Sequence, residues 1–296
     1  MTVRTRAEFA LLGTTFVWGS SFVVVKLIAN DISSSMFIAC RFGIGALLFS
    51  LFLAKELRSI KRTTLLRGIF LGGMVGSGIV IQNYGIYMTT ASKSAFITGL
   101  MVIFTPIFQM LLERRAPKLG NVVGIIIITY GLYLLTSPEG SGINFGDILV
   151  LLSAIIFGVY IVYLNIYAVG ENVLHLSLIQ VSMTTLIALA AVPFEKVNFQ
   201  PTTILISMLL YMGICGTIVT TYIQTRFQKD TTPTRAVIIY TIEPVITAVL
   251  AYFIIREVLG SAGIIGGALI IGGILISEFS DLILMKLGFK ADTVEE

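Results

Sequence analysis

The chain runs to 296 residues, 56% of them hydrophobic and only 12% charged. Soluble domains carry about 25% charged residues, which excludes a soluble enzyme or binding module and leaves a polytopic membrane protein. The formal net charge of +4 does not mark a nucleic-acid partner, because the Lys and Arg residues sit in short loops between apolar runs.

A membrane-crossing helix needs about 20 apolar residues. Ten segments qualify in chain order: 8–29, 33–54, 66–88, 93–113, 119–136, 146–166, 174–193, 203–224, 234–255 and 260–282. Barrel strands would instead alternate over about 10 residues. The first segment exceeds a signal-peptide core and leads into a second span, so it reads as a retained helix. With the N-terminus in the cytoplasm, fifteen of the 20 Lys and Arg fall on the cytoplasmic side and four (Lys26, Lys93, Lys196 and Arg256) on the other. Arg41 lies within a helix. Such asymmetry supports an even helix count and a multi-pass protein of the cell membrane with both termini in the cytoplasm.

The second five segments echo the first five. Gly19 recurs as Gly158 and Arg41 aligns with Gln180, a shift of 139. Gly78, Tyr84 and Pro106 recur as Gly216, Tyr222 and Pro244, a shift of 138, which pairs Thr105 with Glu243. Gly124 and Gly131 recur as Gly266 and Gly273, a shift of 142, as though one extra helical turn followed Pro244. Five is odd, so the second repeat enters the membrane from the opposite side. The expected architecture is all-α and integral to the membrane: ten helices as two inverted repeats, residues 1–137 and 138–296. Inverted repeats belong largely to transporters, with the substrate bound between them near the midplane.

Small residues at fourfold spacing (Gly68, Gly72 and Gly76; Gly120 and Gly124; Gly263 and Gly267) suit close helix approach in lipid. Pro106 and Pro244 inside helices four and nine predict kinks or gating elements. Ionisable groups inside the membrane are functional candidates. Glu243 lies near the midplane, either as a counter-charge for a cationic or zwitterionic solute, as a carboxyl that carries a proton, or as a structural group. Arg41 is an interhelical pin, bonded to backbone carbonyls or to Glu243, or else a receptor for a carboxylate or phosphate. Trp18, Ser20, Ser21, Gln82, Asn83, Tyr84, Tyr160, Tyr163, Thr217, Thr221, Tyr240 and Glu243 form the expected cavity lining; interhelical bonding and interfacial aromatic residues are the alternative for each. Cys40 and Cys215 lie in apolar segments and His175 is the single histidine, so no disulfide, metal or cofactor is expected. No nucleophile–base pattern or Walker loop is present, and the chain does not read as an enzyme.

Residues 94–100 (SAFITGL), Thr105-Pro106, Glu113 to Pro117 and Gly124 to Leu135 resemble the end of an EamA domain, and Trp18 to Phe22 with Arg41-Phe42 resemble its start. The second half repeats the pattern at Gly146-Asp147, Glu243-Pro244-Val245 and Arg256-Glu257. The resemblance covers nearly the whole chain and points to the drug/metabolite transporter superfamily. It implies metabolite export or exchange by alternating access, with members that carry amino acids or nucleotide-sugars through a central cavity. In the first half Glu113 follows Pro106 by seven residues, whereas Glu257 follows Pro244 by thirteen, so the first-half helix end is expected to be shorter. The function expected is secondary transport of an amino acid or similar amphipathic solute, proton-linked or not, by a single chain in the bilayer. A membrane receptor or enzyme without transport, or a channel, is the alternative.

Overall fold

The computed structural model describes residues 2–114, 116–135, 143–257 and 260–286. Arg115, Lys290 and the boundary between residues 137 and 138 lie outside them. The helices are α1 (Val3–Ile28), α2 (Ser34–Phe52), α3 (Arg62–Met88), α4 (Ala91–Gly99), α5 (Met101–Glu113), α6 (Leu119–Leu135), α7 (Phe145–Tyr167), α8 (Val173–Ala191), α9 (Thr203–Gly213), α10 (Thr220–Phe227), α11 (Pro233–Tyr240), α12 (Glu243–Ile255) and α13 (Ser261–Lys286). A π-helix, Ile214–Val219, joins α9 to α10. Eight continuous or broken helices are long and apolar enough to cross a membrane, and α6 and α13 hold shorter apolar stretches, Leu119–Leu134 and Ser261–Ser277. Among the described residues the only β pairing is an isolated bridge between Ile32 and Phe199.

Helix starts follow side-chain chemistry. Thr90 and Thr232 cap α4 and α11, accepting from the backbone N–H of Lys93 and Arg235. Asn144 and Asp147 form a reciprocal capping box at the start of α7, which satisfies amides that have no partner inside the helix. Both α4–α5 and α11–α12 break in the middle, at Leu100 and at Thr241-Ile242. Pro244 lies in the first turn of α12, where a missing N–H costs nothing. Only Pro106 is interior to its helix, so the expectation of two matched mid-helix proline kinks is corrected.

The two halves superpose in a register that differs from the sequence match. The caps Thr90 and Thr232, and the left-handed residues Arg114 (φ 56°) and Arg256 (φ 57°), stand 142 apart. Both α5 and α12 have 13 residues, so no turn is added after Pro244 and the first-half helix is not shorter. Gly19 packs on Ile246, and Gly158 packs on Phe104 in the same way. Gly72 lies on Gln180 and Met183, and Gly213 lies on Arg41 and Ile44, which sets a shift of 141 ahead of the π-helix. The wider π turn takes up one further residue. The 138 register of the proline and tyrosine matches is therefore one helical turn out. Glu243 corresponds to Met101, not Thr105, and Gln224 corresponds to Gln82.

The same relation appears in two ion pairs. Arg235 Nε lies 3.2 Å from Glu8 Oε1, and Lys93 Nζ lies 2.7 Å from Asp147 Oδ2. Glu8 opens α1, Asp147 opens α7, and each meets the first turn of a broken helix. Because α4 begins after a two-residue turn from the end of α3, its partner α7 starts at the end of the molecule where α1 finishes. The repeats are thus inverted.

Close approach at glycine sorts the helices into two sub-bundles. In one, α1 and α2 pack with α9–α10 and α11–α12, through Gly19 on Ile246 and Gly45 on Thr217. In the other, α7 and α8 pack with α3 and α4–α5, through Gly68 on Ile179, Gly76 on Thr184 and Gly78 on Phe157. At the edge, α6 and α13 cross with Gly124 against Gly273 and Gly131 against Gly266. In lipid, where apolar burial gives no drive to associate, such contacts carry the packing.

A side chain at Gly72 would meet Met183 Cβ at 2.6 Å and the Gln180 backbone at 2.9 Å, whereas nothing lies within 4 Å of a Cβ at Gly73. Gly72→Ala is expected to lose about 1–3 kcal/mol by overpacking, and Gly73→Ala to be neutral or to gain up to about 1 kcal/mol. Unfolding of the purified protein in detergent distinguishes the two; equal effects would contradict this packing.

Candidate functional site

Between the sub-bundles lies a cavity with about 120 Å³ open to the centre of a water-sized sphere. One wall is built by α1, α2, the π-helix with α10, and α11–α12. The facing wall is built by α3, α4–α5, α7 and α8. Quasi-equivalent residues line it from the two walls: Trp18 and Phe157, Ser21 and Tyr160, Arg41 and Gln180, Gln82 and Gln224, Thr98 and Tyr240, Met101 and Glu243.

The positions are symmetric but the chemistry is not. Both charged side chains of the lining, Arg41 and Glu243, belong to the first wall. Glu243 is 7% exposed and makes no hydrogen bond or ion pair with any described residue. It sits at the break between α11 and α12, flanked by Tyr240, whose ring meets Trp18 edge-on with centroids 5.2 Å apart. Arg41 is also 7% exposed. Its Nε donates to Thr217 Oγ1 at 3.1 Å and its Nη2 to the Gly216 carbonyl at 2.6 Å. Those two bonds fix one edge of the guanidinium on the π-helix, and Nη1 has no partner among the described residues. Arg41 therefore takes the backbone-carbonyl option and does not pair with Glu243. A buried charge without a counter-ion is costly, and the cavity holds one ionisable group of each sign, Glu243 and Arg41, that do not pair with each other.

The two ends of the cavity are closed unequally. At one end Gln228, fully buried, donates from Nε2 to the Ile161 carbonyl at 2.7 Å, and its Oε1 accepts from Gln224 Nε2 at 3.1 Å and from the Tyr240 hydroxyl at 3.2 Å. The Tyr160 hydroxyl donates to Gln180 Oε1 at 2.8 Å. Every residue of α11 is buried. At the other end the position equivalent to Gln228 is Ile86, which can make no such bond. There Gln82 donates to Thr98 Oγ1 at 2.9 Å within its own sub-bundle. Ser21, Gln82, Ser92, Lys93 and Phe96 are half-buried, while their counterparts Tyr160, Gln224, Thr234, Arg235 and Ile238 are buried. The cavity is consequently latched at the α11 end and more open at the α4 end.

Of the expected lining, Trp18, Ser21, Gln82, Asn83, Tyr160, Thr221, Tyr240 and Glu243 do line it, together with Arg41 and Gln180. Four others do not. Ser20 bonds to the Val17 carbonyl and to the Tyr211 hydroxyl and faces an apolar groove on the opposite side of α1. The Tyr84 hydroxyl accepts from Ser35 Oγ at 3.0 Å. Tyr163 packs edge-on against Phe70, with ring centroids 5.0 Å apart. Thr217 is fully buried behind Arg41. Each turns away from the cavity toward another partner, Ser20 to Tyr211, Tyr84 to Ser35, Tyr163 to Phe70 and Thr217 to Arg41. Neither Pro106 nor Pro244 lines the cavity. Phe157, Thr98, Met101 and Gln224 join the lining unannounced by the sequence, and Gln228 closes its end; the 142 register would have exposed Met101, Gln224 and Thr98 as partners of Glu243, Gln82 and Tyr240.

Two inverted helical repeats around a small, charged, membrane-embedded cavity define a membrane transporter fold. Residues 5–137 and 144–279 each match the EamA-like transporter family, and the chain belongs to that family. It is 28% identical over 256 residues to an uncharacterized transporter from Archaeoglobus fulgidus, covering 86% of this chain and 80% of that one. It is 23% identical over 225 residues to the uncharacterized transporter YoaV of Bacillus subtilis, covering 72% of this chain and 76% of that one. One solved crystal structure shares the fold at a TM-score of 0.74 and 18% identity, covering 96% of this chain and 99% of that one.

Gln228→Leu deletes three hydrogen bonds, those to the Ile161 carbonyl, Gln224 and the Tyr240 hydroxyl. A loss of about 1–3 kcal/mol is expected in thermal unfolding, while Ile86→Leu at the equivalent position stays within about 1.5 kcal/mol of the native protein. Equal stability of the two variants would contradict the latch.

Proposed function

We propose that the protein is a secondary transporter of the cell membrane that exports an amino acid or a similar small amphipathic metabolite by alternating access. Its ten spans are the eight long helices plus α6 and α13, with both termini in the cytoplasm. The excess of Lys and Arg on the side of the N-terminus supports that orientation. A single chain suffices, since the pseudo-symmetry that alternation needs lies within it.

The observation that carries this reading is the pair of ionisable groups, Glu243 and Arg41, that line one cavity without pairing with each other. A zwitterion satisfies both at once: its ammonium group meets Glu243, and its carboxylate meets the unpartnered edge of Arg41. The cavity also sets the size. The space of about 120 Å³ open to the centre of a water-sized sphere suits a small metabolite such as an amino acid. Aromatic walls from Trp18, Phe157 and Tyr240 suit an apolar side chain.

Alternation follows from the symmetry. The latched α11 end and the open α4 end occupy equivalent positions, so opening one and closing the other interchanges the roles of the two sub-bundles without a new fold. The ion pairs Glu8–Arg235 and Lys93–Asp147 lie within sub-bundles, not between them, and keep each one rigid as it rocks. A proton is the coupling ion in this scheme, because either a proton or the solute's ammonium group can neutralise Glu243, and the two therefore compete for it.

Proteoliposomes loaded with unlabelled amino acids are expected to take up labelled amino acid by saturable counterflow that depends on pH. Glu243→Gln is expected to cut the rate about tenfold or more and to remove the pH dependence. Unaltered rate and pH profile in that variant would contradict the role of Glu243, and flux without saturation or counterflow would point to a channel.

A further inference from the structure

We infer that the two walls of the cavity divide recognition of the solute: Glu243 and Arg41 hold its charged head group, while Met101 and Phe157 on the facing wall select its side chain. This rests on the central site being a zwitterion site, as proposed above.

The division is written in the quasi-equivalent pairs. At each position where the first wall carries a charge, the facing wall carries a neutral group: Met101 opposite the role of Glu243, Gln180 opposite that of Arg41. Among the described residues no Asp, Glu, Lys or Arg lines the facing wall. With its head group drawn to Glu243 and Arg41, a solute projects its side chain past Trp18 and Tyr240 toward the second wall. Met101 and Phe157 are the large apolar groups there that match Glu243 and Trp18 in position.

The two selecting residues differ in stiffness. Phe157 is wedged on α3, its ring lying 2.6 Å from where a Cβ on Gly78 would stand. Any outward shift of the ring is therefore blocked by backbone, and it forms a fixed limit to side-chain length. Met101 follows the helix break at Leu100 and is 5% exposed. Its unbranched thioether adapts to irregular shapes, so it forms the pliable part of the wall. Both head-group residues belong to the sub-bundle of α1, α2, α9–α10 and α11–α12. The solute's charges therefore stay on one moving body through the cycle, and selection by side chain is made as the other body closes on it.

Titration calorimetry on the purified protein tests this with glycine, alanine, leucine and phenylalanine, plus phenethylamine and 3-phenylpropionate, which each lack one charge of phenylalanine. Native protein is expected to bind the amino acids and to bind the amine and the acid at least tenfold more weakly. Should no amino acid bind, or should the singly charged analogues bind as well as phenylalanine, the zwitterion reading falls and the division falls with it. Given amino-acid binding, Glu243→Gln is expected to weaken all four by a similar factor of about tenfold or more, with their order kept. Met101→Ala, and independently Phe157→Leu, are expected to change the phenylalanine-to-alanine affinity ratio about fivefold or more, with the preference for phenylalanine over phenethylamine kept. A uniform loss across the amino acids in both wall variants, or a reordering by Glu243→Gln, would overturn the division while leaving the zwitterion site standing.

Discussion

Backbone approach at glycine is the constraint on which the rest of the structure depends. Lipid gives helices no apolar reason to associate, so contact must come from close van der Waals packing. Gly72 on Gln180 and Gly213 on Arg41 are the same contact made twice, once in each sub-bundle. Gly19 on Ile246 and Gly158 on Phe104 are another such pair. These contacts build two four-element bodies, which meet through α2 on α8 and α4 on α12 and leave the cavity between them.

Symmetry of position makes departures from symmetry of chemistry meaningful. The π-helix is one such departure. It adds a residue to the second half, and the carbonyl of its Gly216 receives Arg41 Nη2. No π turn interrupts α3, and the residue equivalent to Arg41 is Gln180, which bonds instead to Tyr160 and Thr225. The end polarity is the other departure: Gln228 with its three bonds stands where the first half has Ile86. The α11 end carries a hydrogen-bond cluster centred on one buried side chain, whereas at the α4 end the bonds run between α3 and α2, from Asn83 to Ser34 and from Ser35 to Tyr84. The membership in the EamA-like transporter family fits a fold in which such an imbalance has a use.

Composition and hydropathy made the helical membrane fold legible, and the spans fall within a few residues of the helices found. The repeat was legible too, but not its register. Matching Pro106 to Pro244 and Tyr84 to Tyr222 slipped the alignment by about one helical turn, and a slip of that size keeps every residue on the same helix face. Identity matching has no means to detect it; the caps Thr90 and Thr232 and the left-handed Arg114 and Arg256 do. Glu243, Arg41 and Gln180 were legible as site candidates because polar groups in lipid are expensive. Ser20, Tyr84, Tyr163 and Thr217 were drawn in by sequence adjacency to true lining residues. Met101 and Phe157 were hidden because apolar lining looks like any other core residue until the cavity is seen.

The central claim is that two equivalent ends open in alternation. Asn30 and Thr90 flank the end between α1 and α4, and Val169 and Thr232 are their exposed counterparts between α7 and α11. Spin labels at Asn30 and Thr90 in one protein, and at Val169 and Thr232 in another, report the two gaps by electron–electron distance measurement in lipid. The account predicts that saturating amino acid shortens the Asn30–Thr90 distance in the population where the Val169–Thr232 distance lengthens. Distances that stay fixed at both ends, or that change in the same direction, would contradict it.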